Sequence, residues 1–189
     1  SSAASDVYKR QTLLPDKKAL DGKIYGVIRI PVGTLRYGPS YASEQATQLL
    51  MGTPVRILKK EGWYLVQTPE DYVSWVSSSS VEPMTRQQFN EYLSHKKLIF
   101  LSDEGWIYEK PDASSARIAS VVVGALLLDK GSKGKYAHVE LPDGRKGYVL
   151  KKDVTDFDQW RKETRPTAGN VLKNAYRFMG TPYLWAGTS

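Results

Sequence analysis

The sequence lacks the residues that several kinds of functional site require. Its 189 residues include no Cys and only two His. The absence of Cys excludes disulfide bonds and thiolate ligands within this chain, and the two His are isolated, at His95 and His138, which argues against a histidine-rich metal site. No metal and no other cofactor is therefore expected.

Long apolar runs are missing as well. No segment approaches the roughly 20 residues that cross a bilayer, so no transmembrane segment is predicted in this chain. Residues 1–11 have neither an initiator Met nor the apolar core of a signal peptide. We expect residues 1–11 to be foreign to the protein and residues 1–23 as a whole to be a disordered lead-in.

Aromatic residues and positive charge are plentiful. The 12 Tyr and 5 Trp, together with Val-rich runs, favour β structure. The formal net charge of +7 is compatible with nucleic acid, anionic lipid or an acidic polymer as a neighbour. However, the Lys residues come in scattered pairs such as Lys59-Lys60 and Lys151-Lys152, as on an ordinary solvated surface. No nucleic-acid partner is expected.

The centre of the chain contains a repeat with a period of about 72 residues. Gly38-Pro39-Ser40 returns as Lys110-Pro111-Asp112, and residues 52–57 return as residues 124–129. The hairpin signal Asp143-Gly144 lies in the second copy of this pattern. A period of this length is that of two tandem small domains, and short strands separated by glycine turns predict small barrels.

The repeat sets the predicted boundaries. The first barrel occupies residues 24–84, a connecting helix residues 85–96 and the second barrel residues 97–160. Thr85 is the predicted helix cap, followed by an apolar stripe at helical spacing. Residues 41–50 are predicted to form a loop or a short helix. Four large aromatic residues are predicted to pack in a core or between domains, with one of them forming a ligand platform: Trp63, Trp75, Trp106 and Tyr148.

The last part of the chain, residues 161–189, is predicted to be a linker and the start of another domain. A helix at 168–179 carries an apolar stripe, with Thr167 as its cap and Gly180 at its end. A helix with a complete apolar stripe needs a core against which to bury it.

Two sets of residues resemble known families. Residues 180–189, GTPYLWAGTS, resemble the segment before the nucleophile in NlpC-type cysteine peptidases, a papain-like family that cuts peptidoglycan stem peptides. The patterns LR-x-x-PS, W-Y-x-V and Y-x-x-W-V in residues 24–84, which are weaker in 97–155, resemble bacterial SH3 (SH3b) domains. The combination is similar to the γ-D-glutamyl-L-diamino-acid endopeptidases, which recycle murein peptides.

This resemblance implies a mainly β fold. It consists of two tandem SH3-like small barrels with a short connecting helix, followed by one C-terminal helix from a truncated α+β papain-like domain. The family's catalytic Cys and His are expected beyond Ser189, so the chain as given would be catalytically incompetent. The resemblance also implies an extracytoplasmic location, in the periplasm or the cell envelope, for the protein from which this chain comes.

The resemblance further implies roles for three residues. Tyr183 would support the oxyanion. The family motif E-x-x-T-Q falls on residues 44–48 and the family tyrosine on Tyr72, so Glu44 and Tyr72 would bind the free amine of the N-terminal L-Ala of a stem peptide. A carboxylate and a phenol oxygen can bind an ammonium through charge-assisted hydrogen bonds.

Ordinary structural interpretations stand beside these roles. Glu44 is equally explained as a solvated loop residue, Tyr72 as a barrel residue with its hydroxyl in water, and Tyr183 as a packing residue. The alternative function is a non-catalytic SH3b protein that holds peptidoglycan. Nucleic-acid binding through a basic barrel ranks last, because the sequence shows no Lys/Arg stripe beside the aromatic residues.

Overall fold

The computed structural model describes residues 13–164, and most of its elements are strands. These strands form two seven-stranded antiparallel sheets, which confirms the predicted mainly β class. The first sheet contains β1 Tyr25–Ile28, β2 Val32–Arg36, β3 Gln45–Leu50, β4 Pro54–Glu61, β5 Trp63–Gln67, β6 Val73–Ser77 and β7 Val81–Met84. The second contains β8 Lys97–Phe100, β9 Glu104–Tyr108, β10 Arg117–Val122, β11 Leu126–Lys133, β12 Tyr136–Glu140, β13 Lys146–Leu150 and β14 Val154–Asp156.

The two sheets have the same topology. The strand order is β3-β2-β6-β5-β4-β1-β7 in the first and β10-β9-β13-β12-β11-β8-β14 in the second. Side chains alternate between the two faces, as the pleat of a strand requires. In β5, for example, Tyr64 and Val66 are buried, whereas Trp63 and Leu65 are half-buried on the outer face.

The repeat extends to individual hydrogen bonds. The N–H of Gly52 donates to the carbonyl of Ile28 at 2.8 Å, and the N–H of Gly124 donates to the carbonyl of Phe100 at 2.8 Å. Both glycines have positive φ, +91° and +92°, a conformation that a residue with a Cβ rarely adopts. Each glycine therefore marks the same backbone turn, 72 residues apart.

One inserted residue changes the spacing in the second half of each barrel. Gly62 alone joins β4 to β5, whereas Gly134 and Lys135 join β11 to β12. Equivalent residues beyond this turn are consequently 73 positions apart. Asp71 and Gly144 illustrate the new spacing, because both have positive φ and both donate a 2.9 Å hydrogen bond to the carbonyl three residues earlier.

The connecting helix, α1 Arg86–Ser94, forms as predicted. The Thr85 side chain accepts from the N–H of Gln88 and the Gln88 side chain accepts from the N–H of Thr85, a capping box. The predicted stripe of Phe89, Tyr92 and Leu93 is buried against the first barrel. The ring of Phe89 stacks on Tyr25 of β1, with ring centroids 4.7 Å apart.

The structure differs from the sequence-based prediction at residues 41–50. Gln45–Leu50 is strand β3, which pairs with β2, rather than a loop or short helix. Only Leu49 in this strand is buried, and β3 lies at the edge of its sheet. The polar sequence of an exposed edge strand lacks the alternation that identifies strands, which explains the error. Strand β10, its equivalent in the second barrel, was not foreseen for the same reason.

The lead-in also differs from its prediction where the structure describes it. The N–H of Asp16 donates to the carbonyl of Leu58 at 2.9 Å, and Leu20 is 7% exposed within the first core. This segment therefore packs on the first barrel rather than being disordered. Residues 1–12 lie outside the described part of the chain.

A second helix, α2 Phe157–Thr164, crosses the boundary predicted at residue 160. Its buried residues Phe157 and Trp160 cluster with Ile99 and Leu126, so it belongs to the packing of the second barrel. Neither helix within residues 13–164 has the length and apolarity to cross a membrane. The predicted helix at 168–179 lies outside the described residues.

The two barrels share an interface built around one turn of the first. Met51 is 1% exposed and lies in the core cluster of the second barrel. Its carbonyl accepts from the N–H of Leu126 at 3.0 Å, and the carbonyl of Gly52 accepts from the hydroxyl of Tyr92 at 2.9 Å. A Cβ on Gly52 would lie 2.5 Å from the Cβ of Leu126. Glycine at position 52 therefore permits the barrels to approach this closely.

A buried lysine completes the junction between α1 and the second barrel. The Lys97 ammonium donates to the carbonyls of Tyr92 at 2.6 Å, Leu93 at 3.3 Å and His95 at 3.0 Å, at the C-terminal end of α1. It also lies 4.5 Å from the centroid of the Tyr92 ring. Burial lowers the pKa of Lys97 to about 8, against an opposing effect of the Asp158 carboxylate. Burial likewise raises the pKa of the Tyr92 hydroxyl well above its usual value.

Candidate functional site in the first barrel

Strand β2 positions the two site residues that the structure describes. Its last residue, Arg36, pairs with Gln45 of β3 on one side and with Trp75 of β6 on the other. Glu44 directly precedes β3, and Tyr72 directly precedes β6. The register thus places Glu44 and Tyr72 just before the two strands that flank β2, near its C-terminal end.

The backbone around each site residue is held by local hydrogen bonds, while the side chain is left exposed. The carbonyl of Glu44 accepts from the N–H of Tyr37 at 3.0 Å, and the Glu44 side chain is exposed. The carbonyl of Tyr72 accepts from the N–H of Thr68 at 2.8 Å, and its N–H donates to the Thr68 hydroxyl at 3.1 Å. The Tyr72 side chain is 59% exposed.

The spacing between the two residues suits a small ligand. Two inter-strand steps separate β3 from β6, which corresponds to roughly 10 Å between their backbones. A glutamate and a tyrosine side chain reaching inwards across this gap can contact one small cationic group. The nearby Arg36 guanidinium is engaged elsewhere, since it donates to the carbonyl of Ser43 at 2.9 Å and lies 6.0 Å from the Tyr41 ring.

Exposed aromatic and apolar side chains surround the pair. Tyr37, Tyr41 and Val73 are 68%, 72% and 51% exposed. The Tyr41 ring also meets Trp63 edge to face, with centroids 4.7 Å apart. Sequence reasoning missed this concentration, although the two tyrosines in the Gly/Pro/Ser-rich loop of residues 37–44 were a signal for it. We call the set of Tyr37, Tyr41, Glu44, Tyr72 and Val73 the first-barrel patch.

The second barrel has no such patch. Its equivalent positions, at the spacings of 72 and 73 residues described above, are Glu109, Ala113, Ala116, Arg145 and Lys146. Neither the tyrosines nor the carboxylate at position 44 has a counterpart there. The patch is therefore a property of one barrel and not of the fold.

The four large aromatic residues predicted to pack in a core or between domains, with one as a ligand platform, do not lie in either core. Trp63 and Trp75 are half-buried on the outer face of the first sheet. In the second barrel Tyr148 is half-buried and Trp106 is 41% exposed. The core alternative was wrong because the inner positions of these strands are filled by smaller residues such as Val66 and Val76, and a strand with apolar residues on both faces does not reveal which face is inside.

The third site residue, Tyr183, lies outside the described residues. Within residues 13–164, no group of three or more His, Asp and Glu side chains is placed to hold a metal ion. Asp112 has a lowered pKa because it accepts hydrogen bonds from the N–H and hydroxyl of Ser114. Those bonds stabilise the loop of residues 109–116, and we assign Asp112 no catalytic role.

Comparison with known proteins identifies the first barrel. Residues 35–81, which include Glu44 and Tyr72, match the family model of the bacterial dipeptidyl-peptidase SH3 domain. The chain is 26% identical over 157 residues to a γ-D-glutamyl-L-lysine dipeptidyl-peptidase of Bacillus cereus, covering 78% of this chain and 46% of that protein. It is 23% identical over 161 residues to dipeptidyl-peptidase 6 of Lysinibacillus sphaericus, covering 80% of this chain and 58% of that protein. The chain thus spans about half the length of these curated relatives.

Solved structures show the same fold. An NlpC/P60 family protein from Bacillus cereus superposes with a TM-score of 0.59 at 18% identity, covering 70% of this chain and 56% of that one. An NlpC/P60 endopeptidase from Photobacterium damselae subsp. piscicida superposes with a TM-score of 0.53 at 14% identity, covering 76% and 35%. The first barrel thus resembles the bacterial dipeptidyl-peptidase SH3 domain, and the fold of the described residues is similar to that of solved NlpC/P60 proteins.

Proposed function

We propose that this chain is the substrate-recognition and wall-targeting part of a cysteine peptidase that cleaves the bond between γ-linked D-Glu and the diamino acid of murein stem peptides. The observation that carries the proposal is the exposed pair Glu44 and Tyr72, which directly precede the two strands that flank Arg36. Both residues fall within the segment that matches the dipeptidyl-peptidase SH3 domain.

The pair would recognise the free amine at the N-terminus of the substrate. The Glu44 carboxylate supplies the charge and the Tyr72 hydroxyl a second acceptor, and the surrounding tyrosines exclude water when the patch is covered. A peptide with a blocked amine would leave the buried carboxylate without a partner. Such an unpaired group costs enough free energy to exclude that peptide, which favours released stem peptides over intact wall.

The catalytic step would need groups that these residues do not supply. A His would take the thiol proton and the resulting thiolate would attack the peptide carbonyl, while N–H groups with Tyr183 hold the oxyanion. The C–N bond would then break as the His returns the proton to the leaving amine, and water would hydrolyse the thioester. Since the sequence contains no Cys, the thiol would have to lie outside these 189 residues. The described residues would bind and orient the substrate, and the substrate class implies that the protein works outside the cytoplasm.

The proposal is tested by the kinetics of the full-length protein on L-Ala-γ-D-Glu-diamino acid. We expect Glu44→Gln to lower kcat/KM by about 100-fold or more, because one charged hydrogen bond to the substrate is lost. Glu109→Gln is the matched control, since Glu109 is an exposed carboxylate in the equivalent loop of the second barrel. A full-length protein that does not cleave this peptide would overturn the proposal. Equal rates for the wild type and a Glu44→Gln, Tyr72→Phe double variant would remove only the amine-recognition part.

A second candidate is a non-catalytic protein that holds peptidoglycan through its SH3 domains. The observation in its favour is that the chain contains two complete barrels, of which the first matches an SH3 domain. Retention of the 189-residue chain on purified murein sacculi, combined with no peptidase activity in the full-length protein, would select this candidate. No retention at low salt would remove it.

A further inference from the structure

The outer face of the second barrel carries an unbroken row of aromatic and cationic side chains across four strands. Arg117 of β10 pairs with Tyr108 of β9, Tyr108 pairs with Tyr148 of β13, and Tyr148 pairs with His138 of β12. Paired residues in adjacent strands point to the same face, so these four side chains stand side by side. We call this set the second-barrel row.

The rings of the second-barrel row and its neighbours pack against one another on the outer face of the sheet. His138 and Tyr148 stack nearly parallel, with centroids 4.7 Å apart and an interplanar angle of 17°. Tyr108 meets the buried ring of Tyr136 edge to face at 6.5 Å. Beside the row, Trp106 is 41% exposed and lies 4.5 Å below the Arg117 guanidinium. Trp106 is the most exposed of these rings, and an exposed aromatic ring suits a ligand that stacks on it.

Unpaired cations lie next to this surface. The turn after β11 carries Lys135, whose carbonyl accepts from the N–H of Lys151 at 3.0 Å. These two lysines are therefore neighbours, one just before the start of β12 and the other just after the end of β13. Lys152 directly follows Lys151, and Lys133 lies two residues before Lys135. Within residues 13–164 the structure shows no ion pair for Arg117 or for these four lysines.

The carboxylates near the surface are mostly engaged already. Glu140 pairs with Lys130 at 3.2 Å and Asp143 pairs with Arg145 at 2.8 Å. Asp112, which interacts electrostatically with Lys135, accepts hydrogen bonds from Ser114. The carboxylates at the two ends of β9, Glu104 and Glu109, are exposed. Among the described residues, Arg117 and the four lysines outnumber the carboxylates near the second-barrel row that have no such partner, and this excess of positive charge favours an anionic ligand.

The first barrel lacks the same row. Its equivalent residues are Gln45, Arg36, Trp75 and Leu65, with only one aromatic ring among them. Its strand β4 ends with Glu61, in an ion pair with Lys59, whereas β11 of the second barrel ends with Lys133, which has no ion pair in the described part of the chain. The row is therefore not a requirement of the fold that both barrels share.

We propose that the second-barrel row binds an anionic polysaccharide, a chain of pyranose rings that carry carboxylate groups. The apolar face of a pyranose would stack on the exposed ring of Trp106, the tyrosine hydroxyls and His138 would meet sugar hydroxyls, and Arg117 would pair with a carboxylate. The cations beside the rings favour this ligand over an uncharged proline-rich peptide, which docks into an aromatic-lined groove.

This inference does not depend on the peptidase proposal, because it involves no residue of the first-barrel patch. The test uses the 189-residue chain and affinity electrophoresis through gels that contain polygalacturonate, with neutral dextran as the reference polymer. We expect retardation by polygalacturonate only, and retardation that weakens as salt is added, because carboxylate contacts are screened.

Two variants separate stacking from charge. Trp106→Ala should weaken polygalacturonate binding by about tenfold, the effect of one lost stacking surface. Arg117→Gln should weaken it by about fivefold or more, whereas Arg86→Gln, which removes the same charge from exposed helix α1, should leave it unchanged. Arg117→Gln also remains informative if Trp106→Ala fails to fold, since Arg117 is an exposed residue.

Three outcomes would overturn the proposal. The first is equal mobility in polygalacturonate and dextran. The second is an equal loss of binding in Arg117→Gln and Arg86→Gln, which would show a response to net charge alone. The third is tighter binding of single-stranded DNA than of polygalacturonate, with the same dependence on Trp106, which would assign the surface to bases rather than sugars.

Discussion

The two barrels have one backbone design and two different surfaces. Their strand orders are the same, and the turns at Gly52 and Gly124 make equivalent backbone hydrogen bonds. Yet the first barrel exposes a carboxylate among tyrosines at one end, and the second exposes cations beside a row of rings. The inward residues and the glycine turns define the fold, while the outward residues are free to differ. A repeat in sequence is therefore evidence for a shared fold and not for a shared ligand.

The largest effect that we expect concerns the glycine at the junction of the barrels. Gly52→Ala should lower the free energy of unfolding by about 3 kcal/mol or more, because the new Cβ would lie 2.5 Å from the Leu126 Cβ and 2.9 Å from its carbonyl oxygen at a φ of +91°. Gly62→Ala is the control, with a φ of +72° and no neighbour within 4 Å, and should cost only about 1 kcal/mol. Urea unfolding measures both, and equal losses would contradict the close approach of the barrels.

The next effect concerns the residue that the first barrel contributes to the second core. Met51→Ala should cost about 3 kcal/mol, because it leaves a cavity among buried residues. Its counterpart in the second barrel, Val123, is only partly buried, and Val123→Ala should cost about 1 kcal/mol. A smaller loss for Met51→Ala than for Val123→Ala in thermal unfolding would show that the junction does not depend on Met51.

Lys97 occupies the position that Tyr25 has in the first barrel, and this difference makes stability depend on pH. Burial lowers the pKa of Lys97 from its ordinary value of 10.5 to about 8. Between these two pH values the unfolded chain binds a proton that the folded chain does not. The folded state should therefore gain stability as pH rises from 8 to 10.5, by up to about 3 kcal/mol relative to Lys97→Met.

The measurement is the free energy of unfolding of the wild type and Lys97→Met across that pH range. Lys96→Met is the control, because the Lys96 side chain is 65% exposed and should show no such dependence. If the wild type does not gain stability relative to Lys97→Met as pH rises from 8 to 10.5, the burial of this amine is contradicted.

The smallest effect concerns the turn where the barrels differ by one side chain. Asp71 has a φ of +66° where its counterpart Gly144 has +91°. Asp71→Gly should raise the free energy of unfolding by about 0.5 kcal/mol, and Gly144→Asp should lower it by a similar amount, because aspartate tolerates this conformation less well than glycine. Changes of the same sign in the two variants would show that these turns are not equivalent.

The sequence predicted the features that depend on pattern. The repeat, the barrels and helix α1 follow from glycine turns, alternating strands and the cap at Thr85. Strand β3 was missed because an exposed edge strand need not alternate. A core position remained open for Trp63 and Trp75 because the pattern does not show which face of a strand is inside. For the candidate site, the resemblance supplied Glu44 and Tyr72, but the exposure of Tyr37 and Tyr41 depends on how the loop of residues 37–44 folds over the sheet.

The measurement that tests the division between the two barrels most directly is a pair of NMR titrations of the 189-residue chain, one with L-Ala-γ-D-Glu-diamino acid and one with a galacturonate oligomer. We predict that the peptide shifts the amide signals of residues 37–44 and 72–75, and that the oligomer shifts those around Tyr108, His138 and Tyr148. Two ligands that shift the same residues, or that both act on one barrel, would contradict the account.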